Sequence, residues 1–308
     1  MSAVPPADLV ALPETHSLLA RRIRTAAALA VPALIFWHVG FWAAEPADPF
    51  GPISLLLVPN RFLTMVEMFA LALVAAALAV AINGPRSAHY GPLGVAVGLA
   101  ALAWRTGSMD LLPLALAPGA DAWPAKSLVF ELWLWLGLIA FGAVPGRWVE
   151  SWHGYGPAAP SADWRRVDTD GLVDSASELA RAGVAIAVVA VVAYLLLSVF
   201  AGTDRETVLK GQVFFACGAS FYVATVVGLS MVRLRASLWL YVSVAIVGAL
   251  IYILAAPHAQ RLGAHLVIPG PARALPIEFA ALSAVGITLG AGTAANLRAA
   301  EKSAPRAR

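Results

Sequence analysis

Lys126-Ser-Leu-Val-Phe-Glu131-Leu-Trp-Leu-Trp-Leu-Gly-Leu-Ile-Ala-Phe-Gly-Ala-Val144 is a run of 19 residues that opens on Lys126 and carries a second charge, Glu131, inside that first end. At 1.5 Å per helical residue it reaches roughly 28 Å, close to the ~30 Å hydrocarbon core of a bilayer. The stretch therefore predicts a transmembrane helix. Glu131 stands more than a turn inside it. An ionisable group in lipid is expensive, so Glu131 needs a partner, a proton or a role.

The rest of the chain agrees with that reading. Of 308 residues, 60% are hydrophobic and 13% charged, against about 25% charged in an ordinary soluble domain. A soluble protein of this size cannot hide that much apolar surface. The composition predicts an integral membrane protein, an all-α polytopic transmembrane helix bundle. The net charge of +3 does not point to nucleic acid, because the basic residues are spread among loops and form no patch. The single cysteine, Cys217, sits in an apolar run and excludes an internal disulfide. No Cys/His spacing of the zinc type occurs.

Seven more stretches have the length of a span: Ala26–Ala44, Phe62–Ile82, Pro92–Leu111, Ala182–Phe200, Val213–Val232, Ser237–Ala256 and Ile277–Ala295. The first follows Arg21, Arg22 and Arg24, as a signal peptide would. Its apolar run is too long for the ~7–15 residues of a signal h-region, and further spans follow. Pro92–Leu111 is the least regular, since Arg105 interrupts it and Pro113 and Pro118 follow; Leu111–Ala117 extends it or dips back.

The segments divide the chain into a 1–25 tail, a four-span half over 26–144, a polar loop over 145–181, a second four-span half over 182–298 and a basic tail over 299–308. Ile53–Val58, between prolines of the 45–60 connection, is too short to span and is expected at the interface. In the polar loop, Leu172, Val173, Ala176 and Leu179 recur at helical spacing, predicting a surface helix over 170–181 with its apolar side on the headgroups. Asp168-Thr-Asp170-Gly171 lacks the remaining positions of a calcium loop and reads as the start of that helix.

Lys and Arg give the orientation. With the N-terminus inside, 14 of the 21 fall on the cytoplasmic side and 7 on the other, among them Arg61, Arg105, Lys126, Lys210 and Arg273. The excess of positive charge inside predicts eight spans with both termini cytoplasmic, in a bacterial inner (plasma) membrane.

His38, Glu67, Arg105 and Glu131 each lie five or six residues from the outer end of a span, roughly 7–9 Å deep. They are expected to form one buried layer in the first half. Gly94, Gly98 and Ala101 make a small-residue face that lets a neighbouring helix approach and carries Arg105 into the bundle. Asn60 and Thr64 share the face of Glu67, Ser127 sits beside Glu131, and Glu278 stands near the outer end of the last span; these are accessory candidates. Ser283, Gly286, Gly290 and Thr293 form a second stripe of small residues.

No catalytic constellation, metal site or cofactor is read from the chain. Only His38 lies within a span, so bis-histidine haem is excluded; no mid-span lysine could hold retinal, and no phosphate-binding Gly-rich loop with its lysine appears. Two non-enzymatic readings follow. One is a permease-like or solute- or ion-sensing protein with a polar site in the outer leaflet. The other is a structural or assembly subunit of a membrane complex, with the lipid bilayer and other membrane subunits as partners. An enzyme acting on a lipid or quinone is a third. A transporter requires the polar layer to continue inward, and Thr225, Ser243, Thr288 and Thr293 offer little for it.

Overall fold

The structure, a computed structural model, describes residues 13–46, 48, 51–84, 89–112, 123–152, 176–202, 209–232, 234, 237–258, 260–262 and 265–303. It is a helical bundle with one short antiparallel hairpin, β1 (Gln260–Leu262) paired with β2 (His265–Val267). The helices are α1 (Pro13–Ile35), α2 (Phe41–Ala43), α3 (Arg61–Asn83), α4 (Tyr90–Arg105), α5 (Ala125–Phe141) and α6 (Ala143–Trp152). They are followed by α7 (Ala176–Phe200), α8 (Lys210–Met231), α9 (Tyr241–Ala255) and α10 (Pro276–Ser303).

Among the described residues, seven helices are long and apolar enough to cross a membrane: Leu19–Ala43, Arg61–Asn83, Ala125–Gly146, Leu179–Phe200, Lys210–Met231, Leu238–Ala255 and Pro276–Glu301. The remaining expected span is shorter than its sequence suggested. α4 has 16 residues and rises about 24 Å. It stops because Thr106 and Ser108 are extended, with ψ of 178° and 170°. The chain then makes a single 3-10 turn over Met109–Leu111. α4 nevertheless runs between the levels of its neighbours' ends. Gly91 meets Gly142 just beyond α5, and Arg105 reaches Trp37 near the end of the first span.

Small residues set the packing. Pro32 lies inside α1, where it removes a backbone donor and clashes with the preceding turn; it is buried against Gly94, whose added Cβ would stand 3.1 Å from the ring. Gly98 gives way to the Phe36 ring in the same manner. The predicted small-residue face of α4 is thus filled by the first span, with Ala79 of α3 also against Gly94. On the other side, Gly286 and Gly290 of α10 press on α8: a Cβ at Gly290 would stand 2.6 Å from Tyr222 O. Close approach of this kind is how helices pack where lipid supplies no hydrophobic drive.

Two departures concern the connections. Ile53–Val58 does not rest on headgroups: Ile53, Ser54, Leu55 and Val58 are buried, and Ile53 and Leu55 join the hydrophobic core. From the polar loop, α6 carries helix on to Trp152, and α7 runs without a break from Ala176 into its span; the rest of the expected surface helix lies outside the described residues.

Candidate functional site

The polar chemistry sits at one end of the bundle, outer in the orientation that the charges predict. Glu131 is 1% exposed. Ser54 Oγ donates to its Oε2 at 2.6 Å, and Trp135 Nε1, one turn further along α5, donates to Oε1 at 3.0 Å. Ser54 Oγ in turn accepts from the Leu56 backbone N–H at 3.2 Å. Arg61 braces the same segment by donating to Leu56 O at 3.2 Å. The carboxyl therefore pins a buried stretch of irregular backbone to α5, and such backbone needs partners of this sort once water is excluded.

A second anchor joins the other half. Lys210, at the start of α8, lies 3.4 Å from Glu278. It also donates to Thr106 O, and to Gly107 O at 3.1 Å. Its three N–H donors thus meet one carboxylate and the carbonyls just beyond α4. Glu278 is the third residue of α10 and accepts from the Leu275 N–H through Oε2 at 2.9 Å, the side-chain half of a capping box. Its Oε1 faces the ammonium as an ion pair without an aligned hydrogen bond. A carboxylate at a helix N-terminus also meets the positive end of the helix dipole.

Further bonds knit the outer loops together. Gly107 N–H donates to Gly51 O at 3.0 Å. Tyr252 Oη donates to Ala274 O, and Trp123 Nε1 to Tyr252 O, each at 2.8 Å. Arg273 is buried and donates from Nε to Ile268 O at 2.9 Å, while its Nη1 has no hydrogen-bond partner. Burial pushes the nearby Asp110 carboxyl above its ordinary range, and the charge of Arg273 pulls it back only in part.

The expected layer of His38, Glu67, Arg105 and Glu131 separates into two places. Glu131 is inside; His38, Glu67 and Arg105 are exposed. Among the described residues no ion pair joins Arg105 to either glutamate. Its guanidinium instead donates to Trp37 O and lies over the rings of Phe41 and Trp37, 3.7 and 5.8 Å from their centroids. The carbonyl it takes belongs to a π-helical turn, Phe36–Gly40. Of the accessory residues, Asn60 caps α3 by accepting from the Leu63 N–H at 3.1 Å, and Thr64 donates to Ala43 O at 3.3 Å. Ser127 is half-buried, and Glu278 belongs to the Lys210 anchor.

Sequence reasoning missed Ser54, Lys210 and Arg273. Lys210 and Arg273 read as loop charges, and Ser54 as part of an interfacial stretch. The available signal was the prolines on either side of Ser54, Pro52 and Pro59, which mark backbone without helical partners. Deeper in the bundle the hydroxyls of Ser220, Thr225 and Ser283 are buried without hydrogen-bond partners. A cleft of about 650 Å³ lies at the opposite end, between Ala180, Arg181, Val184, Met231 and Val232. Among the described residues no three His, Cys, Asp or Glu side chains converge as a metal site would require.

Comparison of the chain with protein-family models, curated proteins and solved structures finds no match.

Proposed function

We propose that this chain is a non-enzymatic integral membrane protein that serves as a structural or assembly subunit of a membrane complex, with both termini cytoplasmic. The observation that carries the reading is the state of the buried charges. Glu131 and Glu278 are each 1% exposed, and each is engaged in holding outer loops on the ends of helices. Ionisable groups in a bilayer are costly and conduct ions or protons only where water or a relay reaches them. Here groups of the protein itself engage both: Ser54 and Trp135 bond Glu131, and the Leu275 N–H and the Lys210 ammonium meet Glu278.

A permease or solute-sensing role draws on one observation, the unpaired hydroxyls of Ser220, Thr225 and Ser283. Ser220 and Thr225 do not share a face of α8, since five residues separate them by about 140°. Gly218 turns to α10, where its carbonyl meets Gly286, and Ser220 lies two residues on, about 200° around α8.

The two roles separate in one experiment. Membranes solubilised gently and run on a native gel should show the 32.1 kDa chain in a larger assembly. Proteoliposomes of the purified chain should pass protons and small cations no faster than empty vesicles. A flux abolished by Glu131→Gln, with an unchanged unfolding midpoint, would overturn the structural reading in favour of a permease.

A further inference from the structure

We propose that the cleft between α7 and α8, at the end of the bundle opposite Glu131, holds one acidic phospholipid, with its phosphate on Arg181 and its first methylenes against Val184 and Met231. The cleft exists because the two helices end differently. They approach closely at Gly228, where an added Cβ would stand 2.6 Å from Val189 Cγ2 and 3.6 Å from Ala185 O. α8 closes one turn later, since Val232 is extended with φ of −128° and ψ of 129°. α7 runs on from Ala185 to its start at Ala176, roughly 14 Å further. The space left beside it is about 650 Å³, within the range of small-molecule sites.

The occupant follows from the lining. Ala180, Arg181 and Val184 lie on one face of α7, three and four residues apart, and Met231 and Val232 supply the other wall. Four of these five residues are apolar. Val184 and Met231 are 55% and 69% exposed, so the cleft opens towards lipid and not into the bundle. Both spans finish at this level, one starting at Leu179 and the other ending at Met231. Arg181 therefore stands two residues inside the boundary, where its stem lies along apolar surface and its head reaches the phosphate layer. Among the described residues none gives the guanidinium a hydrogen bond or an ion pair. The carbonyls that end α8 would repel an anion, and Arg298 offsets them by donating from Nη2 to Leu229 O at 2.9 Å. Two guanidinia near this end of α8 favour a net negative headgroup over a zwitterionic one, whose own cation they repel. Basic pockets between transmembrane helices on the cytoplasmic side hold acidic headgroups in this way, and the orientation that the charges predict makes this the cytoplasmic end. The site is independent of the functional reading above, since it involves neither Glu131 nor the outer loops.

The test titrates the purified full-length chain in neutral detergent with phosphatidylglycerol or phosphatidylcholine, and native mass spectrometry reads the first lipid bound. Phosphatidylglycerol should bind at least about fivefold more tightly, the contribution of one basic residue near a membrane surface. Arg181→Gln should remove that preference, and Arg181→Lys should keep most of it. Val184→Trp, which fills the cleft, should weaken phosphatidylglycerol binding by a similar factor. Arg24→Gln removes an exposed charge of α1 outside the cleft and should leave binding unchanged. Elution volume and unfolding midpoint establish that each variant is folded. Equal affinity of the wild-type chain for the two lipids overturns the proposal. So does a folded Arg181→Gln or Val184→Trp chain that binds phosphatidylglycerol like wild type. A loss in Arg24→Gln as large as that in Arg181→Gln overturns it too, because the attraction then belongs to the net charge of this end and not to the cleft.

Discussion

Lys210 shows how a residue that looks peripheral in sequence becomes central in the fold. It stands at the first position of α8, and its stem reaches inward to two carbonyls and to Glu278. Removing one member of a buried pair strands the other, which costs about 3–5 kcal/mol. Lys210→Met should therefore lower stability, by denaturant unfolding in detergent, more than Lys210→Met combined with Glu278→Gln. Equal losses would show that the pair is not coupled. Ser54→Ala removes a donor from a buried carboxyl and should cost roughly 1–3 kcal/mol. Asp110 gives a pH dependence. Its carboxyl is held above the ordinary value of 3.8, so the folded chain binds the proton more tightly than the unfolded one. Stability from this group is complete below that value and falls as pH rises through the folded pKa. Asp110→Asn should raise the unfolding midpoint at neutral pH and leave it nearly unchanged near pH 3.5. Glu131 was legible from sequence because burial in an apolar run demands partners. The partners were not, since nothing in the spacing shows that Ser54 folds back onto α5.

At the scale of single helices, the apolar lengths were readable and the faces were not. α3, α5 and α9 are apolar on nearly every side, so no stripe announces which side turns inward. Glu67 and Arg105 were expected inside on the general rule for charges in membranes, and both lie outside. The glycines were more informative, because a missing Cβ has meaning only where another atom takes its place. Gly98→Ala drives a Cβ into the Phe36 ring, and Gly290→Val drives its side chain into Tyr222 O and Thr225. Each should cost on the order of 1–3 kcal/mol. Gly137 has nothing within 4 Å of its Cβ position, and Gly137→Ala should be neutral or gain up to about 1 kcal/mol from helix propensity. Unfolding midpoints of the three variants in one detergent decide the matter; a Gly98→Ala protein as stable as Gly137→Ala would show that α1 and α4 do not pack as described.

For the whole molecule, composition was enough to identify a bilayer-spanning helical bundle. It did not reveal that the connections at the outer end are part of the core, because Ile53 and Leu55 carry the same apolar signature whether they meet lipid or protein. The orientation rests on the uneven distribution of Lys and Arg. In a Cys217→Ser background, a membrane-impermeant thiol reagent applied to intact cells should label Glu45→Cys and leave Glu301→Cys unlabelled, both positions being exposed. The reverse pattern would invert the topology, and equal labelling would mean an even number of crossings between them.

The π-helical turn at Phe36–Gly40 has a last consequence. Its bonds span five residues, as in Phe41 N–H to Phe36 O, so the first span holds one residue more than an α-helix would fit into the same rise. Elsewhere in a helix, losing a residue swings everything beyond it by about 100°. Here the surplus is already stored as a local bulge, and deleting Val39 would return the turn to ordinary winding while α1 and α2 keep their bearings. The carbonyl that Arg105 holds would then be taken back into the helix. The turn is thus a one-residue slack in the chain, and Arg105 is the catch that keeps it from running out.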